Sequence, residues 1–395
     1  MERDFLAHRW KLRHDTSDTS DAHRNIDRFQ TCGIRKVRSL ERFATRLGAP
    51  VRRRIMTLLG GIADDIARRN SNRVYFGRRD YVDREIEILN IKALGYEIGR
   101  ALAGEMLSRT VERAPNLELG SKLCTQSDVE SDWFIFWARE MKVAPIYHRK
   151  LWELSYIAQA LWGAGKLQPG MAGLGFGCGQ EVLPSLFAKH GVQVMATDLP
   201  PHRAEAKEWN ASGQYAASAE ASRRRDICPD EKLLALIEFR HVDMKAIPPE
   251  FARKFDFCWS SCALEHLGSI ANGLRFIEES LTTLKPGGLA VHTTEFNLSP
   301  GATVDHRDTV LYQERHIAPF AQRLREQGHK VAGLDFSRGE GFLDNFVDIP
   351  PWPNETVGPR FWPYGCLKVY LQGFTCTSLG LVIRTKQEPT PPPIT

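Results

Sequence analysis

Glycines alternate at 173, 175, 177 and 179, and this spacing constrains the fold more tightly than any other stretch of the 395-residue chain. Leu183, Leu186 and Phe187 follow at helical spacing, and then an apolar run from Val192 to Ala196 ends at Asp198. The pattern predicts a strand, a glycine turn, a helix and a second strand with an acidic end. Glycines packed this densely cost backbone entropy unless bare backbone is needed. The usual need is close approach of a ligand to the turn between a first strand and its helix. The dinucleotide pattern G-x-G-x-x-G fails in every register, since the last position falls on Cys178, Gln180 or Val182. No Gly-Lys-Ser/Thr follows, which excludes a Walker loop. What remains is the turn of a nucleoside ligand without a pyrophosphate. Asp198, at the tip of the second strand, is placed to accept bonds from both ribose hydroxyls. The bland alternative is a glycine-rich hairpin with a solvated Asp198.

Four segments in order carry a resemblance. They are Gly177-Cys178-Gly179 with Asp198, Phe239 to Met244, Phe255 to Leu267 with its Leu264-Glu265-His266 turn, and Leu284 to Val291. Together residues 171–295 resemble a class I S-adenosylmethionine-dependent methyltransferase, loosely similar to those of polysaccharide and surface-glycan pathways. The resemblance implies an α/β fold: a Rossmann-like, seven-stranded, mostly parallel sheet with an antiparallel last strand between the fifth and sixth. It implies S-adenosyl-L-methionine as cofactor and methylation, with O-methylation of a glycan or small-molecule hydroxyl as the expected reaction. Two positions depart from the family. Its usual acid two places before the first core glycine is Gly175 here, and its third glycine is Glu181. The carboxylate of Glu181 is a candidate for the contact that residue 175 cannot make.

The resemblance places the cofactor along Gly175, Gly177, Gly179, Glu181 and Asp198. Asp243 and Met244, at the end of the third strand, would flank the adenine, although Asp243 could equally cap the next turn. Ser260 and Ser261 end the fourth strand at the cleft. On the upstream helix, Tyr147, His148, Arg149 and Lys150 are candidates for the methionine carboxylate, with Tyr147 taken as the cofactor contact. A hydroxyl acceptor benefits from a general base. His292, expected where the fifth strand emerges at the cleft rim, is the first candidate; His266 is the second. Glu265 and Glu295 serve as orienters or alternative bases. His266 could instead be a structural histidine of its turn. No metal-ligand spacing stands out, so the expected reaction uses no metal.

The chain is 42% hydrophobic and 26% charged, an ordinary globular composition. No apolar stretch approaches membrane-spanning length and the start Met1-Glu2-Arg3-Asp4-Phe5 is polar, so the expectation is a cytoplasmic protein. Its eight cysteines form no Cys-x-x-Cys pair, which fits reduced thiols. Residues 1–80 hold 19 basic against ten acidic side chains. We therefore divide the chain into a flexible basic lead (1–35), a helical extension or lid (36–145), the methyltransferase domain (146–388) and a disordered tail (389–395). The basic helices at 37–69 could contact a membrane surface or a second subunit. Nucleic acid is not the expected partner, for aromatics are few there and no recognised motif is present. Ser127 with Glu130 suggests a capping box for the aromatic helix that follows. The loop 338–364 carries Trp352, Trp362 and Tyr364 as possible carbohydrate platforms. Lys285–Gly288 reads as a turn, and His329–Phe336 as the sixth strand. Two other classes stay open: a nucleotide-dependent oxidoreductase, and a non-catalytic or nucleic-acid-binding protein on the same fold.

The missing dinucleotide pattern generates the first prediction. Calorimetry should show S-adenosylmethionine and S-adenosylhomocysteine binding more tightly than NAD; tighter NAD binding would overturn the reading of the glycine turn.

Overall fold

The computed structural model describes residues 86–211, 215–306, 309–349 and 366–387. The basic lead, the helices expected at 37–69, Trp352, Trp362, Tyr364 and the tail lie outside the described residues. The described residues from Lys92 onward belong to one compact unit, which contains the sheet.

Its strands are β1 Ser121–Leu123, β2 Ala172–Phe176, β3 Gln193–Asp198, β4 Ile237–His241, β5 Phe255–Ser261, β6 Leu284–Asn297, β7 Lys330–Val331, β8 Leu334–Asp335, β9 Val347–Asp348, β10 Lys368–Leu371 and β11 Phe374–Arg384. They form one sheet with the order β4-β3-β2-β5-β6-β11-β1-β8, with β10 and β7 also pairing β11, and β9 pairing β10. The first five of that order are mutually parallel. β11 is antiparallel to β6 and to β7.

The expected seven strands are eleven among the described residues. The reason is the length of β6, 14 residues, and of β11, 11 residues. β11 overruns the parallel core and offers its second edge to three short strands: β7 at Ile383–Arg384, β1 at Leu379–Gly380 and β10 at Phe374–Cys376. The expected sixth strand is split into β7 and β8. The expected turn at Lys285–Gly288 is absorbed into β6 as an irregularity in its pairing with β5, with Gly287 at φ +73°.

Two layers cover the sheet. On one face, helix Arg149–Gly163 and helix Leu183–Lys189 pack over Phe257, Trp259, Leu289 and Val291. On the other, helix Ile270–Leu281 and helix Glu314–Glu326 pack over Leu174, Phe176, Cys258 and Ala290. Side chains alternate between the faces along each strand, so the faces divide the strand-end polar residues as strictly as they divide the core.

Helix starts agree with capping chemistry. Ser131 accepts a bond from the Phe134 amide and begins helix Asp132–Glu140, so the expected cap at Ser127 is displaced by four residues. Thr125 caps a separate short turn, Gln126–Val129. Trp137 of the aromatic helix donates to Gln159 of helix Arg149–Gly163 at 2.9 Å, a buried bond that ties the two helices.

Gly273 lets helix Ile270–Leu281 lie against the turn after β5. A Cβ there would come 1.8 Å from the Tyr312 hydroxyl and 2.9 Å from the Leu264 carbonyl oxygen. Gly273→Ala removes a helix-interior glycine, worth about 1 kcal/mol in propensity. Overpacking against a backbone carbonyl costs about 1–3 kcal/mol, and we expect it to win. Urea unfolding should show a net loss of stability; a gain would mean that the turn moves freely.

Candidate functional site

Strand order reverses between β2 and β5, and open parallel sheets bind ligands in the crevice beyond the strand carboxyl ends at such a point. The glycine turn lies there. Gly177 and Gly179 adopt φ of +59° and +52°, a region that L side chains rarely enter. A Cβ on Gly177 would stand 2.9 Å from the Ala263 methyl and 3.5 Å from the Met244 sulfur, so the turn, the end of β5 and the segment after β4 meet around bare backbone.

Asp198 ends β3 and is largely buried. Its oxygens accept from the Leu199 amide at 2.7 Å and the Ala216 amide at 2.9 Å, and the Gly179 amide also bonds it. Burial nonetheless holds its carboxyl above the ordinary range. Asp198 thus fastens the glycine turn to the chain at 216. A carboxylate offers about four acceptor positions, which leaves room for a ribose hydroxyl rather than unoccupied oxygens for two. Asp243 accepts from the Lys245 amide at 2.9 Å and stands 3.5 Å from Arg203, so it caps its turn.

A second group of polar residues gathers beside the ends of β5 and β6. Arg149 and Lys150 open their helix and reach Glu295 at 2.6 and 2.9 Å. Lys150 also contacts the Cys262 thiol and stands 3.1 Å from Glu153. Glu153 accepts from the Thr293 hydroxyl at 3.4 Å and from the Ser378 hydroxyl. Burial would raise the Glu295 carboxyl, but Arg149 and Lys150 overcome it and hold the group at about 2. Glu265 moves the other way, raised by its burial. It accepts from the Thr294 hydroxyl at 3.1 Å. Cys262, Glu265 and Glu295 bring ligand atoms within 4.8 Å of one another. The Lys150 ammonium already supplies a cation there, which disfavours a metal ion.

The structure corrects the reading of His292. It lies not at the cleft rim but fully buried between β6 and helix Ile270–Leu281. Its Nδ1 pairs with the Ser260 hydroxyl at 2.8 Å and its Nε2 with the Ser280 hydroxyl at 3.2 Å, and Phe276 presents a ring edge to it. Both nitrogens are occupied, and desolvation lowers the imidazole to about 3. Glu295, three residues on, points to the opposite sheet face and cannot orient it. Ser260 is taken up by the same buried pair, whereas Ser261, also buried, ends β5. Tyr147 donates to Glu130 at 2.8 Å and joins the core, so among the upstream candidates it is Arg149 and Lys150 that reach the polar group. His266 differs from His292: it is only half-buried, packs against the Trp209 ring at 4.8 Å and lies 3.3 Å from the Thr309 hydroxyl.

Sequence reasoning missed Glu153, Cys262 and Ser378 as members of this group. A signal for Glu153 exists: Arg149 and Lys150 occupy a helix first turn, where cations oppose the helix dipole, and Glu153 follows at i+4 and i+3.

Residues 174–292 match the family described as "Methyltransferase domain". The match covers about a third of the chain. No curated protein matches the sequence. Among solved structures, the (4+2)-cyclase SpnF is similar at 17% identity, TM-score 0.37, over 57% of this chain and 79% of that one. Burkholderia thailandensis 1,6-didemethyltoxoflavin-N1-methyltransferase is similar at 15% identity, TM-score 0.32, over 60% and 79%. An S-adenosylmethionine-dependent methyltransferase from Mesorhizobium loti is similar at 16% identity, TM-score 0.33, over 58% and 97%. No described helix is long and apolar enough to cross a membrane.

The buried imidazole makes a pH prediction. Its folded value of about 3 lies below the ordinary 6.5, so the unfolded chain takes up a proton first as pH falls. The contribution of His292 to stability is complete above pH 6.5 and erodes towards pH 3, by up to about 1.4 kcal/mol per pH unit. Denaturant melts between pH 7 and 5 should show His292→Asn losing less stability per pH unit than the unaltered chain. Equal slopes would place the imidazole in contact with water.

Proposed function

We propose that the protein is an S-adenosyl-L-methionine-dependent methyltransferase that methylates a hydroxyl of a glycan or small molecule. The observation that carries the reading is the left-handed glycine turn at the switch point, within a matched methyltransferase domain. The residues present fit the cofactor. Bare backbone at Gly177 and Gly179 admits a close ligand, Asp198 keeps acceptor capacity, and the Met244 thioether is a polarizable surface at the turn. Arg149 and Lys150 give cations on the upstream helix, where the donor's carboxylate would be held.

When bound, S-adenosyl-L-methionine supplies an electrophilic methyl group on a sulfonium, whose charge is lost as the carbon–sulfur bond breaks. The protein therefore needs to align the acceptor and exclude water rather than to stabilise a new charge. For a hydroxyl acceptor, His266 replaces His292 as the candidate base. It lies in the Leu264–His266 turn that follows the strand bordering the crevice, it is partly accessible, and Thr309 together with Trp209 fixes its ring. The Trp209 indole beside it offers an aromatic surface for a sugar or ring-bearing acceptor.

His266→Ala should lower kcat by about 10²-fold or more, the contribution of a general base, and leave S-adenosylhomocysteine affinity within about twofold. Mass spectrometry of a glycan and metabolite library incubated with S-adenosylmethionine should show a gain of one methyl group on a hydroxyl. No methylated product, or undiminished turnover by His266→Ala, would overturn the respective part of the proposal.

A further inference from the structure

The two oxygens of Asp198 are held by different parts of the chain. Oδ1 accepts from the amide of the next residue, Leu199, at 2.7 Å. Oδ2 accepts from the Ala216 amide at 2.9 Å, across 18 residues of sequence. The Leu199 bond is local and comes with the end of β3. The Ala216 bond brings a separate segment onto the carboxylate, at the oxygen where a second ribose hydroxyl would donate. Three further contacts hold that segment. Gln180, exposed in the glycine turn, donates through Nε2 to the Tyr215 carbonyl at 3.2 Å. The Tyr215 hydroxyl donates to the Leu199 carbonyl at 3.0 Å. The Tyr215 ring lies nearly parallel to that of His241, at 4° with 6.4 Å between centroids, and His241 is the β4 partner of Asp198 in register. Both Tyr215 and Ala216 are buried. The chain beyond them is fastened elsewhere: the Ser185 hydroxyl, on helix Leu183–Lys189, donates to the Ser222 carbonyl at 2.8 Å and accepts from the Arg224 amide at 2.7 Å.

We infer that Tyr215–Ala216 is a strap across the nucleoside end of the crevice, and that a ribose hydroxyl replaces the Ala216 amide on Asp198 when the methyl donor binds; this rests on the reading of the site as one for S-adenosyl-L-methionine. The exchange leaves Asp198 satisfied. One donor leaves Oδ2 as another arrives, so the buried carboxylate is never stripped of a partner. The cost falls on the strap, which gives up its bonds to Gln180 and Leu199 while the Ser185 anchor stays in place. Each such neutral hydrogen bond shifts the balance between the closed and open strap by about fivefold. The apparent affinity for the donor is lowered in proportion to the closed fraction. A nucleoside lacking ribose hydroxyls brings no donor to Oδ2, so the strap also favours ligands that keep them.

Gln180→Ala and Tyr215→Phe each remove one strap bond and leave Asp198 and the glycines unaltered. Stopped-flow binding should show S-adenosylhomocysteine associating about fivefold faster with each variant than with the unaltered chain, and dissociating within about twofold of its rate. Hydrogen exchange gives a second reading on the unaltered chain. Saturation with S-adenosylhomocysteine should speed exchange of the Ala216 amide, which loses its acceptor, while the glycine turn slows. Slower exchange at Ala216 on saturation would overturn the strap, as would association no faster in either variant; Tyr215–Ala216 would then be a fixed wall of the site. If neither the unaltered chain nor the two variants bind S-adenosylhomocysteine in calorimetry, the cofactor reading fails and takes this inference with it. If they bind it with unchanged association rates, only the strap fails.

Discussion

Two cations at the start of a helix are unfavourable, and the site is built around the arrangement that makes them tolerable. Arg149 and Lys150 fill the first turn of a 15-residue helix with no acidic residue in that turn, against the sense of the helix dipole. Glu295, from the far end of β6, reaches both. Glu153, one turn along, reaches Lys150 and takes hydroxyl bonds from β6 and β11. Breaking a buried pair of this kind costs about 3–5 kcal/mol, because one charge is left without compensation. The pairs therefore lock the upstream helix to β6 and β11, which in turn fixes the end of β5 and the Leu264–His266 turn. An apolar contact of the same area would pack as well, but would not set the register of the helix start.

The two sheet faces explain why residues close in sequence have unrelated roles. Along β6, Thr293 and Glu295 face the helix Arg149–Gly163 side and join the charged group. His292 and Thr294 face the other side, where Ser260, Ser280 and Glu265 meet them. The polar run His292–Asn297 thus divides between the two sheet faces, although beyond the end of β5 Glu265 and Glu295 bring ligand atoms within 4.8 Å of each other.

The parallel core was legible because its signals are local: the alternating glycines, Asp198 at a strand end, apolar runs of strand length and the helical spacing of Ile270, Ile277 and Leu281. The extra strands were not, because they are two to four residues long and exist through pairing that no local pattern encodes: β1, β7 and β10 with β11, β8 with β1 and β9 with β10. His292 was misplaced for a related reason. A histidine after Val291 looks like the end of an apolar run, yet β6 continues six residues beyond Val291 to Asn297, and its length is set by the antiparallel partner. The departures from the family pattern at 175 and 181 were visible as residue types. Their cause, the Trp259 indole of β5 lying where a Cβ at 175 would stand and donating to Glu181, required the fold.

The opposite shifts of Glu265 and Glu295 complete the electrostatic account. The two carboxylates lie near one thiol, yet one is held ionised by two cations and the other is pushed towards its neutral form by burial. Like charges this close resist joint ionisation, so fixing Glu295 as the anion favours a proton on Glu265. A methyl transfer from a sulfonium does not require a negative carboxylate at the reacting carbon. Arg149 and Lys150 hold back the Glu295 anion, while the partly exposed His266 interacts with the Glu265 carboxyl beside it in the same turn. The group nearest the crevice is thereby linked, through Glu265, to the ion pairs that hold its walls.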